Sequence, residues 1–193
     1  KESYISSTRN PSVAHGSLID DQNRRDFTIN AMSISLNNNN YGQFIDPFNG
    51  IHDIKHKIIR TPLEPFKTYN DDPLRMMRAI RFASTLGFSI EKESLKAIGQ
   101  NKKRLEIITQ ERITEEFNKI ILSEIPSKGI NLLSETGLLG FFFPEFELLR
   151  GVEKRNGITH KDNYYHTLQV LDNISNETRN LWLRWAAILH DIA

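Results

Sequence analysis

The sequence contains no cysteine among its 193 residues. This absence excludes disulfide bonds, zinc–thiolate sites and thiol nucleophiles, and it favours a reducing compartment such as the cytoplasm. No apolar run approaches the ~18 residues that a membrane-spanning helix requires, and no signal-peptide pattern is present. We therefore expect a cytoplasmic protein that does not insert into a membrane.

The sequence also has almost no excess of charge of either sign. Its 25 basic and 24 acidic residues give a formal net charge of +1, so local patches must bind any polyanionic partner. Apolar residues make up 38% of the chain, which is ordinary for a globular protein of one large or two small domains. The chain lacks an initiator methionine and stops within an apolar helical pattern, so we expect a piece of a longer protein.

The hydrophobic pattern changes near residue 62. Before this point, short apolar stretches alternate with turns that contain Gly, Pro and Asn; after it, the periodicity is almost entirely helical. The expected fold is therefore α+β, with a small α/β part joined to an all-α region. The predicted elements are a strand and long loop in residues 1–23, a helical turn and strand in 27–36, a strand at 43–45, a helical turn and strand in 51–61, helices near 73–86 (ended by Gly87), 91–100 and 109–122, and three later helices.

Residues 71–82, DDPLRMMRAIRF, form a helical pattern with an unusual face. Arg75, Arg78 and Arg81 recur at intervals of three, so they lie on a slowly drifting arc of one side of the helix. A solvated basic face is the simplest explanation of this arc. Because the remaining faces are apolar, the alternative is a largely buried helix whose guanidiniums need anionic partners, such as polyphosphate.

The pairing of Asp72 with Arg75 suggests a specific chemistry. A carboxylate accepts hydrogen bonds and a guanidinium donates them. Cytosine and adenine present an amino donor beside a ring-nitrogen acceptor, whereas uracil and guanine present a carbonyl acceptor beside an N–H donor. One Asp–Arg pair can therefore accept C and A and reject U and G, since a wrong base leaves buried polar groups unpaired.

A second polar cluster lies in RRDFTINAM, residues 24–32. Arg25, Asp26 and Asn30 are not explained by a hydrophobic core. They fit either a surface salt-bridge turn or a site at which Arg25 contacts phosphate while Asp26 and Asn30 contact sugar hydroxyls or hold the loop.

Four motifs occur in order along the chain: RRDFTINAM, DPFNGIHDI, DDPLRMMRAIRFASTLGF and ERITEEFNKII. Together they resemble the bacterial class II tRNA nucleotidyltransferases (CCA-adding enzymes) and the related bacterial poly(A) polymerases. The resemblance implies part of a polymerase-β-like nucleotidyltransferase head in residues 1–62, a helical neck in 63–130 and a helical body in 131–193. It also implies template-independent addition of CCA to tRNA 3′ ends from CTP and ATP.

The resemblance assigns a role to individual residues. It implies that Asp72 and Arg75 read the incoming base, which agrees with the hydrogen-bond argument above. The remaining implied roles are triphosphate or ribose contact by Arg25 with support from Asp26 and Asn30, further nucleotide contacts by Arg78 and Arg81, and a brace for the base-reading helix from Arg112 with Glu115 or Glu116.

The C-terminal helices contain a histidine pattern. His166, followed at a distance by His190-Asp191, resembles the start of an HD domain, whose last aspartate would lie beyond Ala193. Such domains bind a divalent metal and hydrolyse phosphoesters, and imidazole and carboxylate are suitable ligands for Mn, Ni, Fe or Mg. A lone histidine in an apolar helix is more often a hydrogen-bonded core residue, and with an incomplete ligand set we expect weak metal affinity.

Four alternatives remain open at this point. A bacterial poly(A) polymerase shares all four motifs, and an enzyme that adds only CC or only A is also compatible with them. The chain could instead be chiefly an HD phosphohydrolase with a degenerate head, or a non-catalytic RNA-binding module. RNA would be bound by scattered basic residues such as Lys102, Lys103 and Arg104, with a salt-dependent phosphate component.

We predict that the 193-residue chain alone does not add nucleotides to RNA. The family's Asp-x-Asp pair, which holds catalytic Mg²⁺, would lie upstream of Lys1, and two-metal phosphoryl transfer requires such carboxylates. Incubation of the purified chain with CTP and a truncated tRNA should give no incorporation. An enzyme that contains the Asp-x-Asp pair serves as the positive control, and detectable incorporation by the chain would contradict the prediction.

Overall fold

The computed structural model describes residues 15–151 and 162–192, together with the backbone of residues 2–3, 12–13, 154–155 and 158–159. In this part of the chain, every helix is too short or too polar to cross a bilayer. The predictions for the rest of residues 1–14 lie outside the described residues.

The N-terminal part combines short strands with short helices, as predicted. The elements are β1 (Glu2–Ser3), β2 (Ser12–Val13), α1 (Leu18–Asn23), a 3₁₀ helix (Thr28–Asn30), β3 (Ser33–Ile34), β4 (Phe44–Ile45), α2 (Gly50–His56) and β5 (Ile58–Ile59).

The remainder is mainly helical, which confirms the α+β prediction. Its elements are α3 (Pro65–Asp71), α4 (Leu74–Leu86), β6 (Ser89–Ile90), α5 (Lys92–Asn101), a second 3₁₀ helix (Lys102–Ile107), α6 (Gln110–Ile121), α7 (Pro126–Glu135), α8 (Leu139–Phe142), α9 (Pro144–Glu147), β7 (Lys154–Arg155), β8 (Ile158–Thr159), α10 (Asn163–Glu177) and α11 (Leu181–Leu189).

The strands form four two-stranded sheets. The pairs β1–β2, β3–β4 and β7–β8 are antiparallel, whereas β5 and β6 pair in parallel, with Ile58 opposite Ser89 and Ile59 opposite Ile90. The strand β6 lies in the predicted neck, so the region after residue 62 contributes one short strand to the sheet of the region before it.

The helix α1 replaces part of the long loop predicted for residues 1–23. Ser17 caps its N-terminus: the Ser17 side chain accepts from the Asp20 backbone N–H, and the Asp20 carboxylate accepts from the Ser17 N–H. This reciprocal capping box stabilises a six-residue helix that is too short for a clear apolar periodicity.

A second helix, α3, begins where Pro65 was predicted to break the chain. Pro65 occupies the first turn, where its missing N–H costs nothing, and the Glu64 carboxylate accepts from two backbone N–H groups of that turn. The helix α4 starts at Leu74, one residue later than predicted, and the Asp72 carboxylate still accepts from the Leu74 N–H at 3.2 Å. Gly87 ends α4 in the left-handed conformation (φ 70°), as predicted.

The hydrophobic core centres on α4. Met76, Met77 and Ile80 are fully buried, and α4 packs against α6 and α7. The crossing with α7 is close: a Cβ atom at Gly129 would collide with the Ile120 side chain. Glycine at this position therefore lets the backbone of α7 approach the other two helices.

The helices α6, α10 and α11 meet at a buried arginine. The Arg184 side chain is fully buried and donates to four backbone carbonyl oxygens, those of Ile121 (2.7 Å), Ser123 (2.8 Å), Ser175 (2.9 Å) and Thr178 (2.9 Å). These carbonyls belong to the C-terminal ends of α6 and α10, which favour a positive charge. One guanidinium, carried by α11, therefore joins the C-terminal ends of α6 and α10.

We predict that Arg184→Met destabilises the chain by about 3 kcal/mol or more, because buried carbonyl groups lose their donors while the aliphatic volume is kept. Urea unfolding followed by circular dichroism measures the effect. The matched control is Arg179→Met, since Arg179 is exposed in the preceding loop. Equal losses in the two variants would contradict the role assigned to the buried guanidinium.

Candidate nucleotide-binding site

The three arginines of the α4 arc have three different partners. Arg75 donates to the Arg24 backbone carbonyl at 2.7 Å, Arg78 pairs with Asp26, and Arg81 pairs with Glu116. The first two partners lie in the N-terminal part, whereas the third lies on α6. The structure therefore contradicts the interpretation of a solvated basic face, because the three arginines link α4 to the N-terminal part and to α6.

Asp72 and Arg75 lie side by side at the start of α4. Asp72 occupies the joint that follows α3, with one carboxylate oxygen 3.2 Å from the Leu74 N–H and the other 4.0 Å from the Arg75 Nε. The latter distance permits electrostatic attraction but is too long for a hydrogen bond. Arg75 is buried and its direction is fixed by the Arg24 carbonyl. The two groups thus present an acceptor and a donor next to each other.

Asp26 is the polar centre of the junction between the N-terminal part and α4. One of its carboxylate oxygens accepts from the Arg78 Nε and Nη2 atoms at 2.8 and 2.6 Å, and the other accepts from the Phe27 N–H and the Asn30 side-chain amide. Asp26 is 9% exposed, so this pairing compensates the cost of burying its charge. The structure therefore brings together three of the predicted site residues.

Arg25 lies on the surface next to this cluster. Its Nε and Nη2 atoms donate to the Asp21 carboxylate at 3.1 and 2.8 Å, and Arg24 also pairs with Asp21. The hydrogen bond from Arg25 lowers the pKa of Asp21 below its ordinary value. Asp21 was not predicted as a site residue. The sequence predicted a strand and a long loop in residues 1–23, whereas the helix α1 places Asp21 one turn before Arg25.

On the other side of α4, Arg81 meets a buried glutamate of α6. Arg81 Nε lies 2.6 Å from Glu116 Oε2, in a geometry that is ionic but poorly aligned for a hydrogen bond, and its guanidinium stacks on the Phe82 ring at 3.8 Å. Lys119 donates to the other oxygen of Glu116 at 2.8 Å. Glu116 thus links α6 to the second half of α4.

Other predicted residues lie further from this contact. Arg112 and Glu115 are exposed on α6, so of the expected brace residues it is Glu116 that reaches α4. Of the basic run that was expected to bind RNA, Lys103 is exposed, whereas Arg104 is partly buried and donates to the Asn70 backbone carbonyl at 2.7 Å.

The three residues of the histidine pattern lie together at the ends of α10 and α11. One potential ligand atom from each of His166, His190 and Asp191 lies within 4.8 Å of the others. His190 Nδ1 lies 2.7 Å from the Ala187 carbonyl oxygen, and His190 Nε2 lies 3.3 Å from the Asp191 carboxylate. Since the carbonyl can only accept, Nδ1 carries a proton, and Nε2 is the atom available to a metal.

Two family models match the chain. Residues 1–60 match the model described as the poly A polymerase head domain, and residues 87–149 match the model described as a probable RNA and SrmB-binding site of polymerase A.

Curated relatives agree with these models. The CCA-adding enzyme of Anoxybacillus flavithermus is 40% identical over 174 residues, which cover 90% of this chain and 40% of that protein. The CC-adding tRNA nucleotidyltransferase of Halalkalibacterium halodurans is 36% identical over 83% of this chain and 43% of its own length. The chain thus spans well under half the length of these relatives.

Solved structures share the fold. The Bacillus stearothermophilus CCA-adding enzyme in complex with CTP superposes with a TM-score of 0.69 at 33% identity, over 96% of this chain and 42% of that one. The Thermotoga maritima CCA-adding enzyme complexed with tRNA superposes with a TM-score of 0.66 at 30% identity, over 89% and 41%. With head, RNA-binding segment and fold all in agreement, the chain belongs to the family of class II tRNA nucleotidyltransferases and bacterial poly(A) polymerases.

Proposed function

We propose that the chain carries the nucleotide-selecting part of an enzyme that adds CCA to tRNA 3′ ends from CTP and ATP. The observation that carries this proposal is the placement of Asp72 beside a buried Arg75 whose direction is fixed. Relatives named as CCA-adding enzymes, and related structures named as complexes with CTP and with tRNA, support it.

The proposed selection uses hydrogen bonds from protein in place of a template strand. The Asp72 carboxylate accepts from the amino group of cytosine or adenine, and the Arg75 guanidinium donates to the adjacent ring nitrogen. Uracil and guanine reverse the donor and the acceptor, so they would set carbonyl against carboxylate and N–H against guanidinium. Because Arg75 is buried, such a mismatch cannot be relieved by water, and rejection is strong.

The neighbouring residues would bind or support the rest of the nucleotide. Arg25, which is exposed, is suited to contact the triphosphate or ribose by exchanging its present partner, Asp21, for the ligand. Asp26 and Asn30 hold the loop that follows Arg25, and Asp26 orients Arg78. Arg81 has a largely shielded side chain and acts through α6 rather than by direct contact.

Metal-assisted phosphoryl transfer requires carboxylates that these elements do not supply. Both oxygens of Asp26 already accept hydrogen bonds from Arg78, Asn30 and the backbone, so this carboxylate does not fit a Mg²⁺ site. The sequence contains no Asp-x-Asp pair. We propose that Mg²⁺ is held by head residues that precede this chain in the intact enzyme.

The partners follow from this assignment. Residues 87–149 would contact the tRNA, and a cytoplasmic location agrees with a tRNA substrate and the absence of cysteine.

A poly(A) polymerase and an enzyme restricted to CC or A addition share the same base-reading pair. Sequencing the products made with CTP and ATP together distinguishes these activities.

The histidine cluster supports a second candidate function, an HD-type metal site for phosphoester hydrolysis. His190 Nε2 faces the Asp191 carboxylate at 3.3 Å with the proton placed on Nδ1, an arrangement that a cation between the two groups would stabilise. His166 adds a second imidazole, so the donor set suits Mn, Ni or Fe. Hydrolysis of cyclic phosphates that survives Asp72→Ala and Arg75→Ala would favour this function.

For base selection, we predict that exchanging or neutralising Asp72 and Arg75 in the intact enzyme lowers the ratio of kcat/KM between CTP and UTP by about two orders of magnitude or more. Steady-state incorporation into truncated tRNA with each of the four triphosphates measures the ratio. Glu147 and Arg150 form a matched acid–base pair three residues apart, and neutralising them should leave the ratio of kcat/KM between CTP and UTP unchanged. Unchanged selectivity in the Asp72 and Arg75 variants would refute the proposed function.

For the histidine cluster, we predict weak binding of Mn²⁺ or Ni²⁺ that disappears in His190→Ala and in His166→Ala. Three ligands on two helix ends supply part of a coordination shell, so the affinity should be low. Isothermal titration calorimetry measures it, and His52→Ala is the control because His52 and His56 also form a neighbouring pair, on α2. Tight binding, or binding that survives both substitutions, would be inconsistent with this site.

A further inference from the structure

The base-reading carboxylate lies in the joint between two helices. The helix α3 ends at Asp71, α4 begins at Leu74, and Asp72 between them has extended backbone torsions (φ −134°, ψ 96°). Asp72 is bonded to both helices: its backbone N–H donates to the Thr68 carbonyl of α3 at 3.4 Å, and its carboxylate accepts from the Leu74 N–H of α4 at 3.2 Å. The position of the Asp72 side chain therefore depends on both helix ends, and one of them is the C-terminal end of α3.

Among the described residues, three side-chain hydrogen bonds hold α3 against α5 and the 3₁₀ helix that follows it. The Tyr69 hydroxyl and Ser94 share a buried hydrogen bond of 2.5 Å, Asn101 donates to the Phe66 carbonyl, and Arg104 donates to the Asn70 carbonyl at 2.7 Å. In addition, α3 and α5 pack closely along their lengths. The segment 92–107 is thus the support on which α3 rests.

Arg104 is the contact nearest to the joint. The last four carbonyl groups of a helix lack an N–H donor within the helix, and the Asn70 carbonyl is one of these groups in α3. A cation at this end of the helix also interacts favourably with the helix dipole. Asp71, next in the chain, is partly buried; burial raises its pKa, and the charges of Lys67, Arg75 and Arg104 oppose that rise. Arg104 therefore contributes a hydrogen bond at Asn70 and a positive charge near Asp71, the two residues that precede Asp72.

The same segment lies in the part of the chain that matches the RNA-binding family model, residues 87–149. Lys103, adjacent to Arg104, is exposed and available to phosphate. Two successive basic residues thus face in different directions: one toward solvent and one toward α3.

We propose that Arg104 is a positioning residue for base selection: it holds the end of α3 so that Asp72 meets the incoming base, and it connects this joint to the RNA-binding segment. This inference rests on the proposed function of Asp72 and Arg75. Arg104 touches neither nucleotide nor RNA in this role, and its effect passes through the Asn70 carbonyl.

The test is Arg104→Gln in the intact enzyme, with kcat and KM determined for all four triphosphates on truncated tRNA. Displacement of the Asp72 carboxylate should lower the CTP-to-UTP ratio of kcat/KM about tenfold, mainly through kcat for CTP. Arg104→Lys, which keeps the cation at the helix end, should recover part of the ratio and also provides a folded variant if the glutamine protein is unstable. Lys103→Gln removes the same charge from the exposed neighbour and should alter the KM for tRNA without changing the ratio.

Each outcome separates this inference from the proposed function. If Asp72→Asn abolishes selectivity while both Arg104 variants keep it, the positioning role is wrong and the proposed function stands. A lowered melting temperature with an unchanged ratio, or an equal loss of the ratio in Lys103→Gln, also refutes the positioning role. If Asp72→Asn itself leaves selectivity unchanged, the proposed function and the inference both fail.

Discussion

The ion pair between Arg78 and Asp26 is the interaction on which the geometry of the candidate nucleotide-binding site depends. It joins α4 to the loop after α1, and Asn30 binds the same carboxylate, so one acidic group orients a helix and a loop at once. Removing the Arg78 guanidinium would leave the Asp26 carboxylate buried without its ionic partner, which is costly. Together with the hydrogen bond from Arg75 to the Arg24 carbonyl, this contact fixes the N-terminal part relative to Asp72 at the start of α4.

Burial explains why each of the three arginines on α4 has a polar partner. The apolar sides of α4 form the centre of the core, so the arc that carries the arginines cannot be fully solvated and each guanidinium must find acceptors. Arg75 takes a carbonyl, Arg78 an aspartate and Arg81 a glutamate of α6. The same residues that are proposed to give the helix its binding chemistry therefore also fix it between the N-terminal part and α6.

The sequence predicts well what depends on neighbours in the chain. The helix predicted near residues 73–86 is observed over Leu74–Leu86 and ends at Gly87, and the three-residue spacing places Asp72 beside Arg75. It does not predict contacts between distant segments: the partner of Arg78 lies 52 residues earlier, and nothing in the spacing of either residue points to the other. The helix α1 was missed because its signal is one capping box, and β6 because two residues show no periodicity.

The parallel pairing of β5 with β6 has a consequence for where the chain can be divided. Ser89 and Glu91 donate backbone hydrogen bonds to the carbonyls of Lys57 and Ile59, so a strand that precedes residue 62 is paired with a strand that follows it. A fragment cut near residue 62 would leave the backbone groups of its remaining strand without these partners. A fragment that extends beyond Ile90 would include both strands and keep the pair intact.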